Sequence, residues 1–522
     1  MAVKLFAAIL IGSTETEMRV YELGARGGMK QVDHVSTRIG LGSDAYSDGR
    51  LDTDVLMELC RVLRDMRLLM DSYKVDSYRA CATSSLRELR SDLLTRDFIE
   101  KQTGLKITII SNSEQRFLDY KAIACECEAF DKIIANGTAI IDIGGNSMQL
   151  SIFDKDKLVT TQNIRLGKIS ARDQYEQIAA DQAQYRAIVQ EILDHELNGF
   201  AKLYQKERPI QNLFICDPDL MELARTDQVR VLAGQSGPYS RMVHVTSEKF
   251  TELYRKLLSM KADEAASQFE ISIHSAHLVS QSLLFINCIM ERMGASELYL
   301  MDVSVCDGLC YDFGVSSKLL KQKHNFEEDI IAASRNIAKR YKSNQPHIRH
   351  MEELCVEIFN KTRKIHGMKN RERLLLQIAA ILHNCGKYIS LSNVSECAYY
   401  IIMATEIIGL THNERKMIAH IVRFNNKEFH YYHESDDTMD LTMDEYLTVA
   451  KLTAILRVAN ALDRSHRQKC AGAQIVLRDD ELLINVNTDE DLSLERKTLA
   501  DRESFFVEVF NIHPVLHQKK RM

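Results

Sequence analysis

The sequence contains no apolar run that approaches the roughly 18 residues with which a helix crosses a membrane. Only five of the 522 residues are proline, and low-complexity tracts are absent, so no flexible linker stands out. The formal net charge is only −6, which argues against a generic nucleic-acid binder, although a local basic groove would not show in this sum. We therefore expect a folded protein with neither a membrane partner nor a nucleic-acid partner.

The cysteines do not form the pattern of a disulfide framework or a zinc site. No signal-peptide pattern is present at the start of the sequence, and the twelve cysteines are scattered along it. The closest pairs, Cys125/Cys127 and Cys306/Cys310, lack a second Cys or His pair at zinc-ligand spacing. We expect unpaired thiols in a reducing compartment, and hence a cytoplasmic location.

The first 312 residues alternate between predicted strands and helices, a pattern typical of a mixed or parallel sheet. An apolar strand over residues 4–13 ends in a glycine turn, and a similar strand and turn begin at Ala139, which indicates an internal repeat. Amphipathic helices dominate from about residue 316, and strands are predicted again near 475–484 and 505–510. We expect four domains, with bounds at 1–130, 131–312, 313–470 and 471–522.

Two glycine turns follow directly after these apolar strands. The first contains Gly12, Ser13 and Thr14, and the second contains Gly144, Gly145, Asn146 and Ser147. Glycine lets backbone N–H groups approach a phosphate closely, because no Cβ intervenes. One such turn is more often only a hairpin, but its recurrence at the start of two successive lobes predicts a phosphate-binding site.

Side chains suited to phosphate chemistry lie between the two turns. Thr83, Ser84 and Arg87 follow one predicted strand, and their hydroxyl and guanidinium groups can bind phosphate oxygens. Glu114 follows the next strand, where a carboxylate could activate a water. Each has an ordinary alternative: Arg87 as a surface ion-pair partner and Glu114 as a charge at a helix N-terminus.

Taken in order, these motifs resemble the exopolyphosphatase/guanosine-pentaphosphate phosphatase (Ppx/GppA) family. The matching segments are residues 10–15, 38–42, 82–87, 110–117, 142–149, 166–167 and 456–464. The resemblance implies two actin-like, ribonuclease-H-like α/β lobes that hydrolyse a terminal phosphoanhydride bond of polyphosphate or guanosine pentaphosphate in the interlobe cleft. It also implies that Glu114 is the general base, that Arg87 and the turns hold phosphoryl oxygens, that Mg²⁺ binds near Asp142, and that the protein forms a homodimer.

Two positions depart from the family pattern at the expected cation site. Leu10 and Gln149 stand where the family has an aspartate and a glutamate, and neither side chain carries a charge. The sequence therefore also supports a second hypothesis, a phosphate- or nucleotide-binding regulatory homologue with weak or no hydrolase activity. A sugar kinase or ATPase on the same superfold is a third hypothesis, because a fold does not determine a function.

The helical region contains a second motif, His383-Asn384-Cys385-Gly386-Lys387, which resembles the signature of HD-domain phosphohydrolases. The resemblance implies His350 as an upstream metal ligand. Asn384 and Asn460, however, stand where such a site has aspartates. Since hard cations need that charge, we expect an all-α HD-like domain without a metal, followed by a small α+β C-terminal cap.

Overall fold

The computed structural model describes residues 3–25, 27–41, 49–234, 240–431 and 440–519. The chain divides into two compact units, Met1–Asn325 and Phe326–Met522. The finer division into four domains stays a prediction. Gly42, which ends the second matching segment, lies outside the described residues.

The first sheet of the N-terminal unit has five strands in the order β3-β2-β1-β4-β5. They are β1 Lys4–Ile11, β2 Glu15–Gly24, β3 Gly28–Arg38, β4 Ser77–Ala82 and β5 Ile107–Ile109. The first three strands are antiparallel, whereas β4 runs parallel to β1 and β5 parallel to β4. The associated helices are α1 Thr53–Tyr73, α2 Ser84–Arg87 and α3 Asp92–Thr103. The helix α1 forms at the predicted place, and its apolar stripe packs into the core of this sheet.

The second sheet repeats this arrangement in the order β10-β11-β9-β6-β7-β8. Its strands are β6 Thr138–Ile143, β7 Met148–Asp154, β8 Lys157–Ile164, β9 Asn212–Cys216, β10 Met242–Thr246 and β11 Glu297–Met301. Again an antiparallel hairpin is followed by parallel strands, so the predicted internal repeat is confirmed. The helices that follow β5 are α4 Asn112–Glu126, α5 Phe130–Ile134, α6 Lys168–Tyr175, α7 Gln182–Phe200, α8 Pro218–Ala224, α9 Asp227–Leu232, α10 Ser247–Leu258, α11 Ala262–Phe269, α12 Ile273–Met293 and α13 Val305–Ser316.

Helix α12 has the length and mean hydropathy of a membrane-spanning segment, and among the described residues no other helix does. Serine and asparagine interrupt its apolar stretch, so the sequence showed no continuous run. Within the structure, 78% of its most apolar window is buried. Such burial is typical of a central core helix, and its side chains pack in the core of the second sheet.

The C-terminal unit is largely helical. Its helices are α14 Phe326–Arg340, α15 Gln345–His366, α16 Asn370–Leu382, α17 Val394–Ala404, α18 His412–Phe424, α19 Met443–Ala461 and α20 Ser493–Phe510, and its strands are β12 Gln474–Arg478, β13 Glu481–Asn487 and β14 His513–Lys519. The predicted strand at 505–510 is wrong, because these residues end α20. Leu499, Phe506 and Phe510 are buried at helical spacing, a pattern that a short apolar run does not reveal.

Candidate active site

The two glycine turns of the N-terminal unit have the same local structure. The Gly12 amide donates to the Glu15 carbonyl at 2.9 Å, and the Gly144 amide donates to the Ser147 carbonyl at 3.0 Å. A Cβ on Gly12 would lie only 2.9 Å from the Glu15 oxygen, so this turn requires glycine. The repeat therefore extends from the sheets to the turns themselves.

The structure brings these two turns together. A Cβ on Gly145 would lie 3.2 Å from Ser13 Oγ, so the tips of the turns are neighbours. Within the described part of the chain, the backbone N–H groups of Ser13, Gly145 and Asn146 donate to no protein group. Free amides that converge from two turns can donate to phosphate oxygens, as the sequence predicted.

Neighbouring segments hold each turn in place from behind. The Thr83 amide donates to the Ile11 carbonyl at 3.1 Å, just before the first turn. Behind the second turn, the amides of Lys168 and Ile169 at the start of α6 donate to Gly144 and Gly145 at 3.1 and 2.9 Å. Because the helix amides are satisfied by the turn carbonyls, the orientation of the turn is fixed.

Gly167 allows this close approach of α6 to the second turn. A Cβ at this position would lie 2.5 Å from the carbonyl carbon and oxygen of Gly145. Real Cβ atoms do not come this close to a backbone, so only glycine fits after Leu166 in this motif.

Two side-chain contacts connect the halves around the turns. The Gln115 amide donates to Asp142 Oδ2 at 3.1 Å, and the Asn146 amide donates to both carboxylate oxygens of Glu88 at 3.0 Å. The start of α4, the second turn and the end of α2 therefore surround one region. Most of the sequence-predicted phosphate and catalytic residues lie in or beside it.

Glu114 lies at the start of α4 in a capping box. Its Oε2 accepts from the backbone amide and the hydroxyl of Ser111, at 3.0 and 2.8 Å, while its own amide donates to Ser111 Oγ. Oε1 accepts no hydrogen bond from the described residues. The Glu114 carboxylate thus caps the helix with Oε2, while Oε1 is available to a water.

Arg87 is committed largely to the protein. Its guanidinium donates to the Ile110 carbonyl at 2.7 Å and to Asn112 Oδ1 at 2.5 Å. These contacts fix the start of α4, and with it the position of Glu114.

Asp142 lies near the end of β6, where its carboxylate is partly buried. Burial, reinforced by the nearby Asp217, raises the pKa of Asp142 to about 6, although Lys168 partly offsets this rise. The Lys168 ammonium donates to Asp217 Oδ1 at 2.8 Å and to Asp219 Oδ2 at 2.7 Å. This buried triad joins α6 to the end of β9 and the start of α8.

The side chains present do not fit a magnesium ion held by the protein alone. No group of three or more His, Cys, Asp or Glu side chains in the described ranges could hold a metal. Asp142 faces Gln149 across the β6–β7 hairpin, and the buried Gln149 Oε1 has no hydrogen-bond partner among the described residues. An uncharged amide oxygen beside one carboxylate is a poor Mg²⁺ site, and Leu10 adds no ligand. The assignment of Asp142 as a metal ligand stays a prediction.

A buried ion network, which the sequence did not reveal, runs beside the first turn. Asp307 accepts from Arg19 at 2.9 Å, from Arg241 at 2.7 Å and from the Tyr21 hydroxyl at 3.0 Å. Burial opposes ionisation of the neighbouring Glu17, but Arg19 and His34 together outweigh it and hold the pKa of Glu17 at about 2. The alternation of charged residues along β2 was the available signal. The network adjoins a polar cavity of about 310 Å³ that Thr14 also lines.

In the C-terminal unit, His383 lies in a compact histidine cluster. His347 Nε2 is 3.0 Å from His383 Nε2, and His347 Nδ1 is 2.7 Å from Asp463 Oδ2. The Asn384 amide is 2.8 Å from His383 Nε2, and His466 stacks on His347. Burial and the nearby His347 lower the pKa of His383 to about 3, so this ring is neutral near pH 7.

The histidine cluster contains His347 and Asp463, which lie close in the sequence to the predicted residues His350 and Asn460. His350 is buried one helical turn beyond His347, and its Nε2 has no hydrogen-bond partner within the described ranges. Asn460 is buried three positions before Asp463. A search over one helical turn in either direction would have found both His347 and Asp463. The relation of this unit to HD domains stays a prediction.

Comparison with known families agrees with the predicted resemblance. The family description Ppx/GppA phosphatase family matches residues 20–316, and the description Ppx/GppA phosphatase, domain III, matches residues 331–503. Among curated proteins, the guanosine-5'-triphosphate,3'-diphosphate pyrophosphatase of Aeromonas hydrophila is 21% identical over 81% of each chain. The protein of the same name from Aliivibrio fischeri is 17% identical over 87% of this chain and 86% of its own.

Solved structures show the same fold. An exopolyphosphatase from Cytophaga hutchinsonii has a TM-score of 0.53 and 15% identity, covering 61% of this chain and all of its own. The Aquifex aeolicus member of the Ppx/GppA family has a TM-score of 0.51 and 16% identity, covering 60% of this chain and 99% of its own. With the repeated sheets, these likenesses confirm two actin-like α/β lobes followed by a helical region.

Proposed function

This chain belongs to the Ppx/GppA phosphatase family, and we propose that it removes the terminal phosphate from inorganic polyphosphate or guanosine pentaphosphate. The reaction would take place between the two actin-like lobes. The observation that carries this proposal is the meeting of the two glycine turns, with free amides of Ser13, Gly145 and Asn146 in the described part of the chain. Glu114 lies on α4, and the next residue of this helix, Gln115, contacts Asp142 near the end of β6, just before the second turn.

In the proposed reaction, Glu114 Oε1 accepts a proton from a water whose oxygen attacks the terminal phosphorus. The bond from that phosphorus to the bridging oxygen breaks, and the shortened chain leaves with the electron pair. The free turn amides hydrogen-bond to the equatorial phosphoryl oxygens, which carry the charge of the transition state. Arg87 acts as a positioning residue, because its contacts fix the start of α4.

Glu114→Gln tests this assignment, because glutamine keeps the capping box but is not a base. We expect phosphate release to fall by about 10²-fold or more, with ligand binding and the melting temperature nearly unchanged. The matched control is Glu445→Gln, since Glu445 forms the same capping box with Thr442 at the start of α19. If both variants release phosphate at the wild-type rate, Glu114 only caps its helix.

The substrate is decided by comparing phosphate release from long-chain polyphosphate and from guanosine pentaphosphate. The curated relatives are named for the guanosine nucleotide, whereas the Cytophaga hutchinsonii structure is named an exopolyphosphatase. Each substrate should be measured with the wild type and with Glu114→Gln. If phosphate release from one of these compounds does not depend on Glu114, that compound is not the substrate of this site.

A second candidate function is phosphate or nucleotide binding without turnover. The observation that favours it is the uncharged pair Leu10 and Gln149, together with the commitment of Glu114 Oε2 to the helix cap. Binding of guanosine pentaphosphate without phosphate release from either substrate would place this function first. The homodimer, the cytoplasmic location and the absence of membrane and nucleic-acid partners stay predictions.

A further inference from the structure

The C-terminal unit contains a cavity of about 650 Å³ that the proposed hydrolysis does not use. It is lined by the segment between α16 and α17, the segment after α18, the end of α19 with the segment that follows it, and α20. Its volume is within the range of small-ligand sites, roughly 300–1,000 Å³. It is larger than a single phosphate requires.

Four cationic side chains line this cavity: Lys387, Lys427, Arg464 and Arg502. None of the described lining residues is acidic. Over the described ranges of the chain, none of the four cations forms a salt bridge, in contrast to Arg371, which pairs with Glu414 on the same unit. We refer to the cavity lined by these four side chains as the cationic cavity.

The charges of the cationic cavity act on one another. Burial and the nearby Arg464 lower the pKa of Lys387, and the same two causes lower the pKa of Arg502. His466 Nε2 lies 3.5 Å from Lys387 Nζ, and burial, with His347 and Lys387, lowers the pKa of His466 to about 4. Repulsion among these like charges destabilises the free protein, although Asp501 partly offsets it at Arg502, and a bound anion would relieve it.

Apart from Leu391 and Val394, the remaining lining side chains are polar, and several can donate hydrogen bonds to an anion. Asn384 and Asn460 contribute amide side chains, and the segment 392–395 contributes an amide and two hydroxyls. Amide N–H and hydroxyl groups donate hydrogen bonds to phosphate oxygens without repelling them. Two arginines at one site can each bind phosphate oxygens in a bidentate manner.

We propose that the cationic cavity binds a small ligand with two or more linked phosphates, held by Lys387, Arg464 and Arg502. This site is separate from the interlobe cleft and does not depend on the reaction proposed there. An inorganic polyphosphate and a nucleotide share the same phosphate chemistry. The probes below distinguish them.

The test is isothermal titration of the full chain with imidodiphosphate and with β,γ-imido-GTP, whose terminal P–N–P bridge resists hydrolysis. The double variant Arg464→Gln/Arg502→Gln is compared with Arg349→Gln/Lys361→Gln, which removes two exposed cations of α15 outside the cavity. We expect the cavity variant to lose one class of site, with affinity lower by about tenfold or more, and the control to keep it. Phosphate release in the cleft should be unaffected by either pair.

Hydrogen exchange locates the ligand in the wild type and does not depend on the folding of a variant. We expect protection of segments 384–395 and 460–466 on addition of either probe. Stronger protection by β,γ-imido-GTP identifies a nucleotide site, and equal protection identifies a site for phosphates alone. No protection of these segments at saturating probe, or unchanged affinity in the cavity variant, would overturn the proposal.

Discussion

When ionised, the carboxylate of Asp142 should lower the free energy of unfolding of this protein. Its pKa rises from the ordinary value of 3.8 to about 6, because folding buries it beside Asp217. One pH unit corresponds to about 1.4 kcal/mol, so above pH 6 the ionised carboxylate destabilises the fold by about 3 kcal/mol. The folded pKa is the higher one, so this cost is absent below pH 4 and grows as the pH rises to 6.

Asp142→Asn removes the charge while its amide oxygen can still accept from Gln115. We expect the variant to be more stable than the wild type by about 3 kcal/mol at pH 8 and by about half of this at pH 5. About 1 kcal/mol shifts Tm by roughly 2–4 °C in a unit of 150–250 residues and by less in the larger unit Met1–Asn325, so we expect a rise of up to about 6 °C at pH 8.

Calorimetric melting of both proteins at the two pH values measures this difference. The matched control is Asp97→Asn, which removes an exposed carboxylate of α3 and should change Tm little at either pH. A variant of Asp142 that melts at or below the wild-type temperature at pH 8 would refute the reasoning. So would a gain in stability that is the same at pH 5 and pH 8.

Three other changes test particular contacts. Gly167→Ala places a Cβ against Gly145 and should lower Tm and weaken imidodiphosphate binding, whereas Gly199→Ala, whose Cβ meets open space, should not. Asp307→Asn removes one carboxylate partner from the buried Arg19 and from the partly buried Arg241, which keep Glu17 and Glu126. It should reduce stability by about 1–3 kcal/mol, measured by urea unfolding, and an unchanged stability would contradict this. His383 has a pKa of about 3, below the ordinary 6.5. The stability that the fold gains from its neutral ring is therefore fully present above pH 6.5 and is lost as the pH falls towards 3. His383→Asn should therefore flatten the pH dependence of Tm of the C-terminal unit, and an unchanged slope would contradict this.

The elements that the sequence predicted best are those with long or repeated patterns. The helix from Thr53 to Tyr73 and the paired strand and glycine-turn units are present as predicted. Predictions failed or were missing where a segment was short, as at 505–510, or where a strand is largely exposed, as in β3. Exposed strands such as β3 carry little apolar alternation, and short apolar runs fit a strand or a helix equally well.

The site was predicted in part. The motif order indicated the glycine turns, Glu114 and Asp142, and the structure brings them together. The Lys168–Asp217–Asp219 triad and the Arg19–Asp307–Arg241 network were not predicted, because their members are up to 288 positions apart in the chain. A buried ion pair forms wherever folding brings two opposite charges into contact, and the separation of the two residues in the sequence does not indicate that contact.

The family, the repeated α/β architecture and the residue types at the two turns follow from the amino-acid sequence alone, because periodicity and glycine placement are local properties of the chain. The chemical roles open to those residues depend on the folded structure. It commits one oxygen of Glu114 to a helix cap, raises the pKa of Asp142 and leaves the turn amides free of partners among the described residues. It also gathers the cations Lys387, Lys427, Arg464 and Arg502 around one cavity. Hydrogen bonding, burial and charge proximity depend on distances between segments, and these distances exist only after the chain has folded.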